Sequence, residues 1–306
     1  MRNASLLLVL AASAAACRSN SGTTVDGGHN IDAAADANVG MVTTIKNLRM
    51  NQPAVGTIVT LQNVVVVTHL DSKKSGTVWV QDQGGGQYSG IEVYCNYGGT
   101  SPNCTMTQTQ FAAFTAGQVV NVTGKFDSFL LTSAPAGAQP VLEVESPTIT
   151  TSSMTATPMP VNVTSAMVAK AVLTGASDAY KGTYVHITDL TSYTNANYTA
   201  ANPPVPPSTS EFYATCTGMG TTPASGNTLD GIDLTSGSTT IALSLHNYKT
   251  QDYCYPCTAA MPYPCTNDVS KIQTFTSVSG IVEPNYNSNG MVYLGIAPTT
   301  DADLTH

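Results

Sequence analysis

The chain has 306 residues, with 11 Lys and Arg against 19 Asp and Glu, a formal net charge of −8 and only 10% charged residues. This balance excludes capture of a phosphate backbone by bulk positive charge, since such binding is carried by Lys and Arg; a local basic groove is the only route left for nucleic acid. Abundant Thr, Ser, Val and Gly give a strand-and-turn composition and exclude a mainly helical domain.

Residues 1–17 have the parts of an export signal. Arg2 is the positive n-region, Leu6 to Ala12 the apolar core and Ser13-Ala-Ala-Ala16 the small-residue cleavage region. Ala14-Ala-Ala-Cys17 resembles a bacterial lipobox, whose cysteine becomes the lipidated first residue of the mature chain. Ala14 stands where that motif usually has Leu, and ordinary cleavage after Ala16 is the competing reading. Parity favours lipidation, because setting Cys17 aside from the 7 cysteines leaves an even number. The expected partner is therefore the membrane, through Cys17, and the expected address is the outer membrane, on its periplasmic or cell-surface face. Residues 18–40 have almost no large apolar residue and read as a flexible tether. No later segment is apolar for long enough to form a spanning helix.

The rest of the chain repeats itself. Gly56-Thr-Ile-Val-Thr-Leu-Gln-Asn-Val64 returns as Gly182-Thr-Tyr-Val-His-Ile-Thr-Asp-Leu190. Val122-Thr-Gly-Lys-Phe126 returns as Val278-Ser-Gly-Ile-Val282, and Val141-Leu-Glu-Val-Glu-Ser-Pro147 as Val292-Tyr-Leu-Gly-Ile-Ala-Pro298. Two copies of one module, 41–152 and 153–306, are expected, the second expanded in its middle. In the first, Thr44 to Arg49 is a short lead-in with one helical turn. Thr57 to Thr68 is a strand whose apolar residues step from Val59 and Leu61 to Val64 and Val66, the mark of a bulge. Lys73-Lys-Ser-Gly76 turns into a strand over Thr77–Asp82, and a glycine turn leads to Gly90–Tyr94. A short helix carries Phe111 and Phe114 and stops by Gly117. Strands at Val119–Phe126 and Val141–Glu145 complete an all-β module. Three strands, a helix and two strands is the order of an OB-fold, a five-stranded Greek-key barrel.

The progression Gly-Thr-x-Val-Thr-Leu, Val-Trp-Val-Gln-Asp, Gly-Ile-x-Val-Tyr, Gly-Gln-Val-Val-Asn-Val-Thr-Gly resembles the tandem OB-like modules of secreted bacterial lipoproteins of the myxobacterial type. It is similar also to the accessory OB-like domains of extracellular nucleases. The resemblance covers 41–150 well and 160–300 more weakly. It implies two tandem barrels with an accessory binding role and no catalytic part.

In the second module, strands are expected at Thr183–Leu190, Phe275–Glu283 and Met291–Ile296, with Glu211–Thr217 and Thr239–His246 inside the expansion. Ser165 to Thr174 is expected as a lead-in helix. Asn202-Pro-Pro-Val-Pro-Pro-Ser208 cannot be a central strand, because proline lacks the donor.

Each module holds an even number of cysteines: Cys95 and Cys104 in the first, and Cys216, Cys254, Cys257 and Cys265 in the second. In an exported chain this favours disulfides that pin loops. The sequence does not choose among the pairings of the last four. A four-cysteine zinc site and a redox-active Cys254-Tyr-Pro-Cys257 are the alternatives, and the latter lacks the βαβ setting such chemistry needs. No metal, cofactor or catalytic motif is otherwise present. There is no Gly-x-Ser-x-Gly, no His-Glu-x-x-His and no P-loop, so a non-catalytic protein is expected.

Binding remains. Alternation separates Val78, Val80, Ile91 and Val93 from Trp79, Gln81, Glu92 and Tyr94. If the first set fills the barrel, the second shares its outer face, with Tyr88 on a neighbouring loop and Lys73 and Lys74 on another. Aromatic rings beside carboxylates and amides suit a polysaccharide. The same rings could stack nucleic-acid bases, with Lys73 and Lys74 at the phosphates, and this is the less favoured reading. An inverted register, with Trp79 in the core, is the alternative to both. A glycan or another envelope protein is the expected ligand, and a purely structural surface role competes with it.

Overall fold

In the computed structural model the described residues are 40–70, 75–97, 104–196, 231–245, 253–254, 267–268, 271–286 and 291–306. The expectations at Cys17, Lys73, Lys74, Cys216, Cys257 and Cys265, and the strand expected at Glu211–Thr217, lie outside them.

Strand β1 (Met41–Thr43) leads into helix α1 (Ile45–Asn51). Two groups cap the start of α1. The Thr44 hydroxyl accepts from the Asn47 N–H, and the Asp82 carboxylate accepts from Ile45 and Lys46 N–H at 3.1 Å each. Donors that a first turn leaves open are thus met, and α1 is tied to the strand that ends at Gln81. Strands β2 (Ile58–Leu70), β3 (Ser75–Gln81) and β4 (Gly90–Asn96), helix α2 (Gln108–Ala112), and strands β5 (Gln118–Phe129) and β6 (Val141–Thr155) follow. The sheet order β1-β2-β3-β4-β6-β5 is closed by a further β2–β5 pairing, so β2 to β6 form a ring. Only β4 and β6 run parallel within that ring.

β2 closes the ring by pairing with both β3 and β5, and its register against β5 shifts between Leu61 and Val64, where Asn63 takes a φ of 54°. The step keeps Val59, Leu61, Val64 and Val66 all inside, each at most 1% exposed. They pack with Val78, Val80, Ile91, Val93, Phe111, Phe114 and Phe126 as the core of the first module. β6 runs through Thr155, past the expected module boundary.

The second module has β7 (Val161–Val163), β8 (Tyr184–Ile187), β9 (Thr194–Asn195), β10 (Gly231–Ser236) and β11 (Thr239–Ser244). After them come a two-residue pair, β12 (Tyr253–Cys254) with β13 (Asn267–Asp268), then β14 (Ser277–Tyr286), β15 (Val292–Ala297) and β16 (Leu304–Thr305). The sheet order is β7-β8-β14-β15-β11-β10-β9, with β16 on β14. Its central run, β8-β14-β15-β11-β10, repeats the order β2-β5-β6-β4-β3, and β11 lies parallel to β15 as β4 does to β6. The strands joined by sequence echo (β2 and β8, β5 and β14, β6 and β15) thus occupy matching places. Unlike the first sheet, the second is open among the described residues: β10 pairs with β9, not β8.

One local expectation is corrected, and one strand is new. Ser165–Thr174 is not a helix but a single 3-10 turn, Ser165–Met167, followed by irregular chain. Lys170 explains this: its N–H donates to Thr240 O and its carbonyl accepts from Leu294 N–H, so its backbone is bonded to the sheet. Strand β10, which pairs with the expected strand β11, was not anticipated.

Candidate functional site between the modules

The sequence places Trp79, Gln81, Glu92 and Tyr94 opposite the barrel core, and the structure agrees on the side but not on exposure. Trp79 is 2% exposed and Gln81 1%. The register is not inverted. Instead, the second module covers this face: Trp79 packs with Val67, Ile281 and Ala297, flanked by Val141 and Tyr184.

Beside that contact opens a cleft of about 420 Å³, lined by Trp79, Tyr88, Arg49, Gln139, Asp178 and Lys181 among others. Each wall has a local cause. The capped α1 points Arg49 inward, and the turn after β3 presents Tyr88 at a φ of 62°. From the second module comes the 3-10 turn Gly175–Ala179, which carries Asp178, with Lys181 and Gly182 just after it. The turns are clasped, since Tyr88 N–H donates to Ala179 O at 2.6 Å and Gln87 Nε2 donates to Tyr180 Oη at 3.0 Å.

Arg49 is 5% exposed and bonded on several sides. Its Nη1 donates to Gly90 O at 3.3 Å and to Thr183 Oγ1 at 3.1 Å, and its Nη2 donates to Asp178 O at 2.7 Å. The guanidinium also lies 5.3 Å from the centre of the Tyr88 ring. Burial lowers its pKa to about 10, against the pull of Tyr88 and Asp178. Lys181 Nζ pairs with Asp178 Oδ1 at 2.8 Å. Burial pushes the Asp178 carboxyl up, but Lys181, the Gly175 N–H and Arg49 outweigh it and hold the group below its ordinary value. Both cations of the cleft are therefore already engaged. Trp79 Nε1 and Gln81 Oε1 are buried and find no hydrogen-bond partner among the described residues, while Gln81 Nε2 donates to Met159 O at 3.1 Å.

Of the expected binding residues, Trp79 and Tyr88 thus meet in the cleft. Glu92 and Tyr94 do not; they belong to an acidic row over β4, β6 and β5. Glu92 lies opposite Glu143, Glu143 opposite Asp127, and Tyr94 opposite Glu145. Burial drives the Glu92 carboxyl up to about 7, although Thr77 Oγ1 donates to it at 2.9 Å. Glu143, 3% exposed, is pushed up to about 9 by burial and then by the charges of Glu92, Asp127 and Glu145. Burial and the same glutamates raise Tyr94. Cys95 and Cys104 form a disulfide, as expected. Of Cys254 only the backbone in β12 is described.

Sequence reasoning did not anticipate Arg49, Asp178 or Lys181. Arg49 carried one signal, a lone cation at the end of a short amphipathic helix. The other two fall in the stretch just before the repeated strand.

Among known proteins, no family model, no curated protein and no solved structure matches the chain.

Proposed function

We propose that the chain is a non-catalytic binding protein of the bacterial envelope, held to the outer membrane through a lipidated Cys17. Both modules are OB-like, and a glycan is taken up in the cleft between them. The observation that carries this reading is the lining of the cleft: the half-buried ring of Tyr88 stands beside the amide of Gln139 and the paired Asp178 and Lys181, over the buried edge of Trp79. The Tyr88 ring offers an apolar surface to a sugar ring, and a few fixed polar groups offer hydrogen bonds to hydroxyls. The engaged state of Arg49 and Lys181 argues against a phosphate backbone, because the buried Arg49 would have to give up its carbonyl and hydroxyl acceptors and Lys181 is already paired with the half-exposed Asp178.

Calorimetric titration with a polysaccharide panel, and with single-stranded DNA at low and high salt, tests this. A saturable, salt-insensitive heat with a glycan, lost in Tyr88→Ala, is expected. Binding of DNA alone, falling steeply with salt, would replace the glycan by nucleic acid. Silence from every ligand would leave an envelope protein or a structural role.

A further inference from the structure

The exposed apolar residues of the described chain are not scattered. Seven of the ten large ones sit at one end of the first module: Met41, Val42, Met50, Val55 and the run Phe129-Leu130-Leu131, between 42% and 64% exposed. Pairing shows why they share an end. Ile58, the first residue of β2, lies opposite Lys125 of β5, and β5 runs on from there to Phe129. On the other side Gly40 lies against Ile58, so close that a Cβ on Gly40 would come within 2.7 Å of Ile58 Cγ2. Met41, just after it, pairs with Val59. Val55 is next to Gly56, whose N–H donates to Phe126 O. Met50 lines the same cleft as Pro140, Val141 and Leu142 of the returning strand.

We infer that this end of the first module is a membrane-docking face, whose Phe129-Leu130-Leu131 tip enters the interfacial layer of a lipid bilayer. Several observations select a lipid surface over a protein. From Ser128 to Leu142 the hairpin has no charged residue, although the chain as a whole is acidic. Nothing on the tip therefore has to lose a hydrated charge on entering the interface. The apolar run protrudes at the strand end, where a bilayer accepts it; a protein partner would need a broad complementary face. The segment expected to carry the anchor also joins the body at Gly40, on this end. The inference rests on the envelope reading for that last point only, and the cleft, which shares Met50 with the patch, then opens beside the bilayer.

The test uses residues 38–306, which form one compact unit containing both cores. Flotation with phosphatidylcholine vesicles should carry the protein, and raising salt to molar levels should leave the bound fraction unchanged. The double substitution Leu130→Asp, Leu131→Asp should lower partitioning at least tenfold. Met291→Asp, at an exposed apolar residue outside the patch, should leave it within twofold. Near-native circular dichroism and Trp79 emission establish that the variants are folded.

Absence of vesicle binding by the unsubstituted protein overturns the inference. So does a concentration-dependent dimer, abolished by the same double substitution, in a protein that ignores vesicles; the patch is then a contact between two copies. The mass of Cys17 in the exported full chain separates the two readings. Vesicle binding with an unacylated Cys17 sinks the lipoprotein and keeps the docking face, and an acylated Cys17 without vesicle binding does the reverse.

Discussion

Gly90 and Gly182 meet backbone to backbone: a Cβ built on Gly90 would lie 2.0 Å from the carbonyl oxygen of Gly182. One ends the turn that carries Tyr88, and the other opens the repeated strand of the second module with a φ of 71°. The ring of Trp79 closes the contact, its Cζ3 3.2 Å from the Cβ position of Gly182. The seating of the modules on each other thus depends on two missing side chains.

Gly90→Ala should therefore open the interface, not merely tighten it. The obstructing atoms are backbone and cannot rotate away, so the cost should reach or exceed the ~1–3 kcal/mol of ordinary overpacking. Trp79, the only tryptophan, reports the outcome directly. Its emission should move to the red in Gly90→Ala as water reaches the ring, and the urea midpoint should fall. Unchanged emission with an unchanged midpoint would show that the two backbones leave room for a methyl group.

Arg49 crosses the same interface by another route, bonding Gly90 in one module and Thr183 and Asp178 in the other. Arg49→Met keeps much of the stem but leaves three acceptors unmet, and a loss of about 2–4 kcal/mol is expected from urea denaturation. Arg49→Lys should recover little, since a single ammonium cannot span acceptors that a planar fork reaches together. Full recovery by lysine would mean that charge alone matters there.

The first module was legible because its alternation is tied to burial. Val59, Leu61, Val64 and Val66 announced both the strand and its bulge, and the valines of β3 and β4 fell inside as expected. The cover over Trp79 and Gln81 was not legible. A strand face hidden by a second domain has the same period-two pattern as one facing water, and Trp, Gln, Glu and Tyr suit either. Asp178 and Lys181 were missed because they gain meaning only when Gly182 docks on Gly90. The echo of 56–64 in 182–190 located β8 but said nothing of which surface it would turn to the first module.

The disulfide between Cys95 and Cys104 spans 9 residues, and the Cys95 side chain is fully buried in the first core. Closing so short a loop restricts the unfolded chain by about 2.5 kcal/mol on the chain-entropy scale. Reduction, or the double change Cys95→Ala, Cys104→Ala, should lower stability by about that amount while leaving the Trp79 emission of the folded state intact. A red shift on reduction would instead couple the disulfide to the interface.

The acidic row sets the pH dependence. Glu143 ionises near 9 in the folded chain and near 4.5 when unfolded. Between those values the native state holds a proton that the unfolded state has released, so stability must fall as pH rises through that window and level off above it. The slope approaches ~1.4 kcal/mol per pH unit for one such group. Glu92, raised to about 7, adds to it over the lower part of the window. Lys125 and Glu145, opposite each other, and Asp127 are the charged neighbours on β5 and β6. Thermal midpoints should therefore drop from pH 5 to pH 9. Glu143→Gln, which mimics the protonated acid, should flatten the curve, raising the midpoint at pH 8 and leaving it nearly unchanged near pH 4.5. Parallel curves for the two proteins would show that Glu143 is ionised at neutral pH and that water reaches the row.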